Sequence, residues 1–385
     1  MKSEQLVKSS EYCCGCSACE SICPKKAITM RADEYGFTFP CVDEALCIDC
    51  GLCKSVCRFQ SEEKTLNAPR KVFAGVTKTT DINKSASGGI FACVAKRIIS
   101  DGGVAYGAAA VNENGDISVR CEKAQTNEEL LPLLGSKYVQ SNNEGAYSLI
   151  QSDLEAGKTV LFSGTPCQVD ALYGFLKKDY ENLFTLDLIC HGVPSAKLFS
   201  DYLKSLEGKE KITEYLFRTK EISGEMTSKI TFKNGKTKYI PCNMSPYFYL
   251  FINGYTYRES CYSCPFAKKE RSGDITLGDF WGIEKYHPDF NSSKGVSCIL
   301  VNTEKGERLI EKCSDGMELL ESDFEKVAQN NAQLRHPSVK PEKRSAVLNA
   351  YKSGGFSAVE KEYASIAGAK RFLSGLKLKA KKILK

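Results

Sequence analysis

The chain has 385 residues, 42% of them apolar, and its 53 Lys or Arg against 47 Asp or Glu leave a net charge of +6. That length and composition fit two or three domains with buried cores and exclude a disordered or fibrous chain, and no run approaches the ~20 apolar residues of a membrane span. The opening residues around Lys2, Glu4 and Lys8 hold no apolar stretch, so no secretory signal is expected and the chain is read as cytoplasmic, where nineteen cysteines point to metal or redox chemistry and away from disulfides.

The first chemistry in the chain is a repeated run. Cys13-x-x-Cys16-x-x-Cys19-x-x-x-Cys23-Pro24 returns 34 residues later as Cys47-x-x-Cys50-x-x-Cys53-x-x-x-Cys57. A 4Fe-4S cubane takes four thiolates, and in two-cluster ferredoxins the fourth cysteine of each run ligates the other cluster. The spacing therefore predicts one cluster on Cys13, Cys16, Cys19 and Cys57 and a second on Cys47, Cys50, Cys53 and Cys23. Zinc also binds four cysteines, but it takes them as two separated pairs and not as triplets followed by a fourth. Residues 27–30 and 37–40, around Tyr35-Gly36, read as two short strands. Residues 1–60 are thus expected to form an α+β ferredoxin-like dicluster module of the bacterial type. Arg58 stands where the second run lacks its proline, which removes no ligand. Cys14 and Cys41 are left over and read as small buried side chains beside the clusters.

Residues 61–70 read as a polar linker. Beyond it strands and helices alternate. Lys71 to Thr77 is an expected strand, Ser87-Gly88-Gly89 opens a helix with Ile90, Phe91, Val94, Ile98 and Ile99 on one face, and Val104 to Val111 is the next strand. A glycine pair at a helix start suits an anionic phosphate, although taken alone it also reads as a plain turn. Thr126 and Glu129 form a capping box, and Lys137, in Gly135-Ser136-Lys137-Tyr138, adds a cation for the same anion. Two strand-loop-helix units place Cys167 and Cys190 at the carboxyl ends of strands, where ligands of α/β sheets collect. Residues 229–233 and 237–240 flank Asn234-Gly235 as a hairpin. Cys261-x-x-Cys264 reads as a redox pair, as half a zinc site, or, with Cys167 and Cys190, as a third cluster. Asp279, before Phe280-Trp281, is either a turn residue or part of an active site.

The net charge sits in the tail, where seven Lys or Arg and no acid lie between Lys370 and Lys385. The rest is close to neutral, so no nucleic-acid stripe is expected. Residues 346–385 read as a helical basic tail. With Phe372, Leu373, Leu376, Leu378, Ile383 and Leu384 it is either an amphipathic element for peripheral contact with an anionic membrane or partner, or a solvated terminus.

Taken in order, Ser87-Gly88-Gly89-Ile90, Ser136-Lys137-Tyr138-Val139, Thr165-Pro166-Cys167-Gln168-Val169, Cys190-His191-Gly192-Val193-Pro194, and Cys261-x-x-Cys264-Pro265 leading to Gly273-Asp274-Ile275-Thr276-Leu277-Gly278-Asp279 resemble the beta subunit of coenzyme F-420 hydrogenase and dehydrogenase. The resemblance runs from Lys71 to about Arg344. It implies an α/β flavin- and iron-sulfur-binding domain, with residues 71–150 as a flavin-binding N-terminal region and 151–345 as a C-terminal region. It further implies FAD held by Ser87, Gly88, Gly89, Lys137 and Tyr138, and a third 4Fe-4S cluster on Cys167, Cys190, Cys261 and Cys264. Hydride chemistry belongs to the flavin, so no acid-base pair is required. His191 is the one catalytic candidate, and the Gly-Val-Pro after it argues for a loop fixed by its backbone instead. The expected function is an oxidoreductase passing electrons between the clusters and FAD to an unidentified substrate, with a ferredoxin or other redox protein as partner. The alternatives are an electron-transfer subunit of a larger complex and a true coenzyme F-420 oxidoreductase.

Overall fold

A computed structural model describes residues 6–61, 64, 66–222, 226–290 and 292–383, with side chains as far as Gly368. The N-terminal segment is built on a hairpin of β1 (Ile28–Ala32) and β2 (Thr38–Val42), antiparallel with Met30 opposite Pro40. Asp33 makes its turn: the carboxylate accepts the Tyr35 and Phe37 N–H groups, and Gly36 takes φ +82°. Two one-turn helices, Ala18–Ser21 and Leu52–Ser55, stand on either side of a small core of Leu6, Ile28, Val42 and Cys53. Each follows a residue in the left-handed region, Ser17 at φ 68° and Gly51 at φ 75°, so the two cysteine runs bend in the same way.

The body is a mixed eight-stranded sheet with helices on both faces. Its strands are β3 (Lys71–Thr77), β4 (Val104–Glu113), β5 (Asp116–Ala124), β6 (Val160–Gly164) and β7 (Leu183–Leu188). After an excursion into a three-stranded antiparallel sheet of β8 (Ile212–Leu216), β9 (Thr227–Phe232) and β10 (Thr237–Pro241), the chain returns as β11 (Ile275–Asp279), β12 (Ser297–Val301) and β13 (Met317–Glu321). The order is β13-β3-β12-β11-β7-β6-β4-β5. The inner strands β11, β7, β6 and β4 run parallel, and antiparallel strands finish both edges. Although β3 and β4 flank one helix in sequence, β12, β11, β7 and β6 lie between them, so that helix, Ile90–Ser100, crosses the sheet instead of closing a simple unit.

Side-chain alternation fixes the two faces. Ala105, Ala109 and Leu161 face the Ile90–Ser100 helix, while Val104, Tyr106, Val160 and Phe162 face Val169, Leu172 and Phe175 of the Pro166–Leu176 helix. The hairpin expected at Asn234-Gly235 is β9-β10, with Gly235 at φ +79°. An aromatic core of Phe199, Tyr202, Tyr215, Phe217 and Tyr247 fills the space under the smaller sheet.

Two connections are more ordered than polarity alone suggests. Asn67, inside the stretch read as a linker, pairs by backbone with Arg271. The terminal helix starts at Arg344, and Val347, Tyr351, Phe356, Val359 and Tyr363 sink into the aromatic core. The apolar residues from Phe372 to Leu384 lie outside the described side chains. Among the described residues no helix is long and apolar enough to cross a membrane.

Candidate functional site

The cysteine runs line two pockets of nearly equal size, ≈ 370 and ≈ 380 Å³ with the solvent at their mouths included. Cys23, Cys47, Cys50 and Cys53 wall one, with Ile28, Val42 and Leu52. Cys13, Cys16, Cys19 and Cys57 wall the other, with Cys14, Leu6 and Phe59. In each, three cysteines of one run meet the fourth of the other. The metal-ligating side chains on these walls are all thiols, and donors aim at the sulfurs: Gly15 N–H to Cys13 Sγ at 3.4 Å, Ala27 N–H to Cys23 Sγ at 3.3 Å, and Gln60 Nε2 to Cys57 Sγ at 3.3 Å. Such donors favour a thiolate or a reduced cluster. Among the described residues no three His, Cys, Asp or Glu side chains close on one point as a lone metal ion requires. A cubane spreads its four thiolates around a larger body, and four cysteines on the wall of each pocket suit that donor set.

A third thiol group forms where the sheet ends. Cys167 opens the Pro166–Leu176 helix just beyond β6, where Thr165 caps the helix with Gln168 and places its hydroxyl 3.1 Å from Cys167 Sγ. Cys190 follows β7. Cys261 and Cys264 come from the short Glu259–Ser263 turn. Burial pushes the Cys190 thiol well above its ordinary value, and Cys261, Cys167 and Cys264 add their repulsion, so the four cysteines are near neighbours. Cys261 is pushed up to about 12 and Cys264 to about 11, burial leading in both. Cys167 moves the other way, its thiol lowered by Cys14 and Thr165, and four thiols so placed are a donor set that suits a multivalent cation.

Buried Arg271 holds this arrangement. Its guanidinium reaches Asp187 Oδ1 at 3.2 Å and donates to the Leu188 and Phe266 carbonyls, while Asp187 Oδ2 accepts the Ser272 and Gly273 N–H groups. The end of β7, which delivers Cys190, is thereby tied to the segment carrying Cys264. Asp274 is turned inward to Thr185 and Thr303 and serves the scaffold.

Of the residues expected at a flavin, Gly88 and Gly89 lie against Gly75, Ser297 and Thr77, and Tyr138 lies among the aromatic rings next to Tyr257. Packing accounts for both glycines: a Cβ on Gly88 would stand 2.2 Å from the Gly75 carbonyl oxygen, and one on Gly89, at φ +83°, would stand 2.5 Å from Thr77. The Gly88 N–H is also spent on Ser297 Oγ at 3.0 Å. Lys220 donates to the Ser87 and Ile82 carbonyls at 2.5 and 2.7 Å, and burial holds its ammonium down to about 8. Burial also lowers Lys137 to about 7; the residue is only partly covered, but its ammonium is enclosed against the Leu134 and Gly135 carbonyls. Tyr138 stacks on Phe248 and Phe251, and its hydroxyl accepts from Arg218, which also pairs with Asp279 at 2.7 Å and lies over the ring of Trp281, 41% exposed. His191 is exposed; crowding lowers its pKa and nearby Asp279 raises it. Arg218, Lys220 and Trp281 belong to this group without any sequence signal beyond being charged or aromatic.

The remaining cysteines have other settings. Cys93, Cys242, Cys298 and Cys313 are buried in apolar cores, and Cys41 and Cys121 are partly covered. Cys14 stands apart from them, beside both Cys16 and Cys167.

No curated protein matches the sequence. Among solved structures, a chain from the xenon-derivatized F420-reducing [NiFe] hydrogenase complex of Methanosarcina barkeri aligns at 16% identity and a TM-score of 0.43, covering 77% of this chain and 97% of that one. The family model for the C terminus of the coenzyme F420 hydrogenase/dehydrogenase beta subunit matches residues 157–327, which takes in Cys167, Cys190, Cys261, Cys264 and Asp279. Over that stretch the chain is similar to the coenzyme F420 hydrogenase/dehydrogenase beta-subunit family, a family of oxidoreductase subunits.

Proposed function

We propose that this chain is a cytoplasmic iron-sulfur flavoprotein oxidoreductase that carries electrons between three 4Fe-4S centres and FAD, and from FAD to or from an organic substrate. Residues 1–60 are its dicluster module, holding one centre on Cys13, Cys16, Cys19 and Cys57 and another on Cys47, Cys50, Cys53 and Cys23. Residues 71–150 and 151–345 make the larger unit, with the third centre on Cys167, Cys190, Cys261 and Cys264. The observation that carries the reading is that four cysteines from three distant segments are neighbours at the carboxyl ends of β6 and β7.

When bound, the clusters take up one electron at a time and the flavin two. The protein supplies position and charge. Thiolates hold the iron, and N–H donors such as those of Gly15 and Ala27 temper their charge. For a flavin phosphate, Lys220 would put a cation beside the Ser87–Gly89 turn and Lys137 one beside the Leu134 and Gly135 carbonyls, Tyr138 would offer a ring edge, and the Arg218–Asp279 pair with Trp281 would form the open side at which a substrate would lie. A substrate proton would pass most directly through His191 or solvent.

The alternative of an electron-transfer subunit rests on the outer pocket. Cys50 is exposed there, flanked by Leu46 at 51% and Ile48 at 58% exposure, an apolar rim suited to a ferredoxin or other redox partner. Anaerobic purification with iron, sulfide and flavin counted per chain tests the whole scheme. About twelve irons and one FAD are expected. About eight irons without flavin leaves only the N-terminal module standing, and colourless protein overturns the reading.

A further inference from the structure

The inner N-terminal pocket and the body's thiol group are separated by a single turn, Cys13–Gly15, and that turn is held with unusual completeness. Arg258, only 1% exposed, donates from Nε to the Cys13 carbonyl at 2.6 Å and from its terminal nitrogens to the Thr38 carbonyl at 2.7 Å and Gln140 Oε1 at 3.2 Å. Gln140 in turn donates from Nε2 to the carbonyls of both Cys14 and Gly15 at 3.0 Å. Arg258 is also joined to the body's thiols, since its carbonyl accepts the Cys261 N–H at 3.0 Å. Its guanidinium lies 4.2 Å from the centroid of the Phe39 ring. Below the turn, the Ala18–Ser21 helix packs on the Pro166–Leu176 helix that carries Cys167; Ala18 and Val169 share one core, and Gly174 leaves room for Val56 and Arg58, which a Cβ there would strike at 2.6 and 2.4 Å.

Within this clasp the Cys14 side chain belongs to neither thiol quartet and lies beside one member of each, Cys16 and Cys167. It has one S–H proton for two acceptor sulfurs, so it can lean to either side. We propose that the Cys13–Gly15 turn is the bridge by which electrons cross between the Cys13/Cys16/Cys19/Cys57 site and the Cys167/Cys190/Cys261/Cys264 site, with Cys14 as a hydrogen-bond donor shared by the two ligand sets and Arg258 and Gln140 as its positioning residues. This rests on the cluster assignments above. In the crossing one electron leaves one site, oxidising it by one, and reduces the other by one; no bond forms or breaks, and the electron comes from a reduced low-potential carrier.

A donor to a ligand sulfur stabilises the more negative, reduced state, so it raises the potential of the site it touches. That sets the test: anaerobic dithionite titration of the full chain followed by electron paramagnetic resonance, with the three signals assigned by removing one ligand at a time (Cys23→Ser, Cys19→Ser, Cys264→Ser). Cys14→Ala is expected to lower the midpoints of the two inner sites and leave that of the Cys23/Cys47/Cys50/Cys53 site in place. Cys14→Ser, which keeps a donor, is expected to hold both inner midpoints at or above the wild-type values, and Cys41→Ala to move none. A purely structural role would shift the Ala and Ser variants in the same direction. Unmoved inner midpoints in Cys14→Ala with full iron overturn the bridge and leave the functional reading intact, and should Cys14→Ala lose iron, an inner midpoint below wild type in Cys14→Ser overturns it as well. Wild-type protein lacking iron at the Cys167 site overturns the functional reading, and the bridge with it.

Discussion

The N-terminal pockets and the body's thiol group hold the same donor set but are made in opposite ways. The former come from one stretch of chain, where two-residue spacings and left-handed residues at Ser17 and Gly51 bend each run around its own hollow. The latter comes from three segments brought together by a sheet, and it exists only as long as the end of β7 and the Cys261–Arg271 segment are locked to each other. Local closure is cheap in chain entropy, and long-range closure must be compensated by buried scaffolding.

Breaking that scaffolding gives the largest expected contrast. Arg271→Met leaves Asp187 buried without its cation, at a cost of about 3–5 kcal/mol. Thermal unfolding together with iron analysis is expected to show a lower melting temperature and loss of about four irons, the N-terminal eight remaining; uniform retention of iron would erase the distinction drawn here. A matched glycine pair sharpens it next. Gly15 and Gly51 have similar left-handed backbones, at φ +67° and +75°, but a Cβ on Gly15 would meet Gln140 Nε2 at 2.3 Å whereas Gly51 faces open space. Both alanine variants carry a left-handed cost of about 1–2 kcal/mol. Gly15→Ala is expected to lose more in urea unfolding, by about another 1–3 kcal/mol, and equal losses would show that the seam adds nothing.

The smallest effect is a titration. Lys137 has its pKa lowered from 10.5 to about 7 by burial. Above about 7 the folded chain has lost a proton that the unfolded chain keeps up to about 10.5, so stability relative to Lys137→Met is expected to rise across that window. The charge that would hold a flavin phosphate is lost over the same rise. Flavin retention, read by fluorescence after gel filtration, is expected to weaken by up to about tenfold from about pH 6 to about pH 8 in the wild type and to stay flat in Lys137→Met. The iron of the N-terminal pockets is expected to ignore this change.

What the sequence revealed follows the same division. Periodic spacing marks Cys13 to Cys57 as two crossed sets because every partner lies within one short stretch, and the strand-end positions of Cys167 and Cys190 follow from alternating apolar runs. Arg271 and Arg258 leave no such trace. Each is one charged residue in an unremarkable segment, and its importance lies in a cavity formed by residues dozens of positions away. The sheet order was hidden for a similar reason: apolar alternation identifies β3 and β4 as strands but says nothing of the four others that lie between them. The Ser87–Gly89 turn shows a motif with two causes. Its glycines suit a phosphate, and they are also demanded by the neighbouring Gly75 carbonyl and Thr77 side chain.

Arg258 reaches the backbone of Cys13 and of Thr38 from a fully buried position in the larger unit. A free carrier protein must diffuse, orient and let go in every cycle, and its rate of delivery scales with its concentration. Under the proposed function the carrier would never leave. Transfer across the seam would be a first-order event at fixed geometry, indifferent to dilution and barely sensitive to salt, and chance encounter would enter at the exposed outer rim.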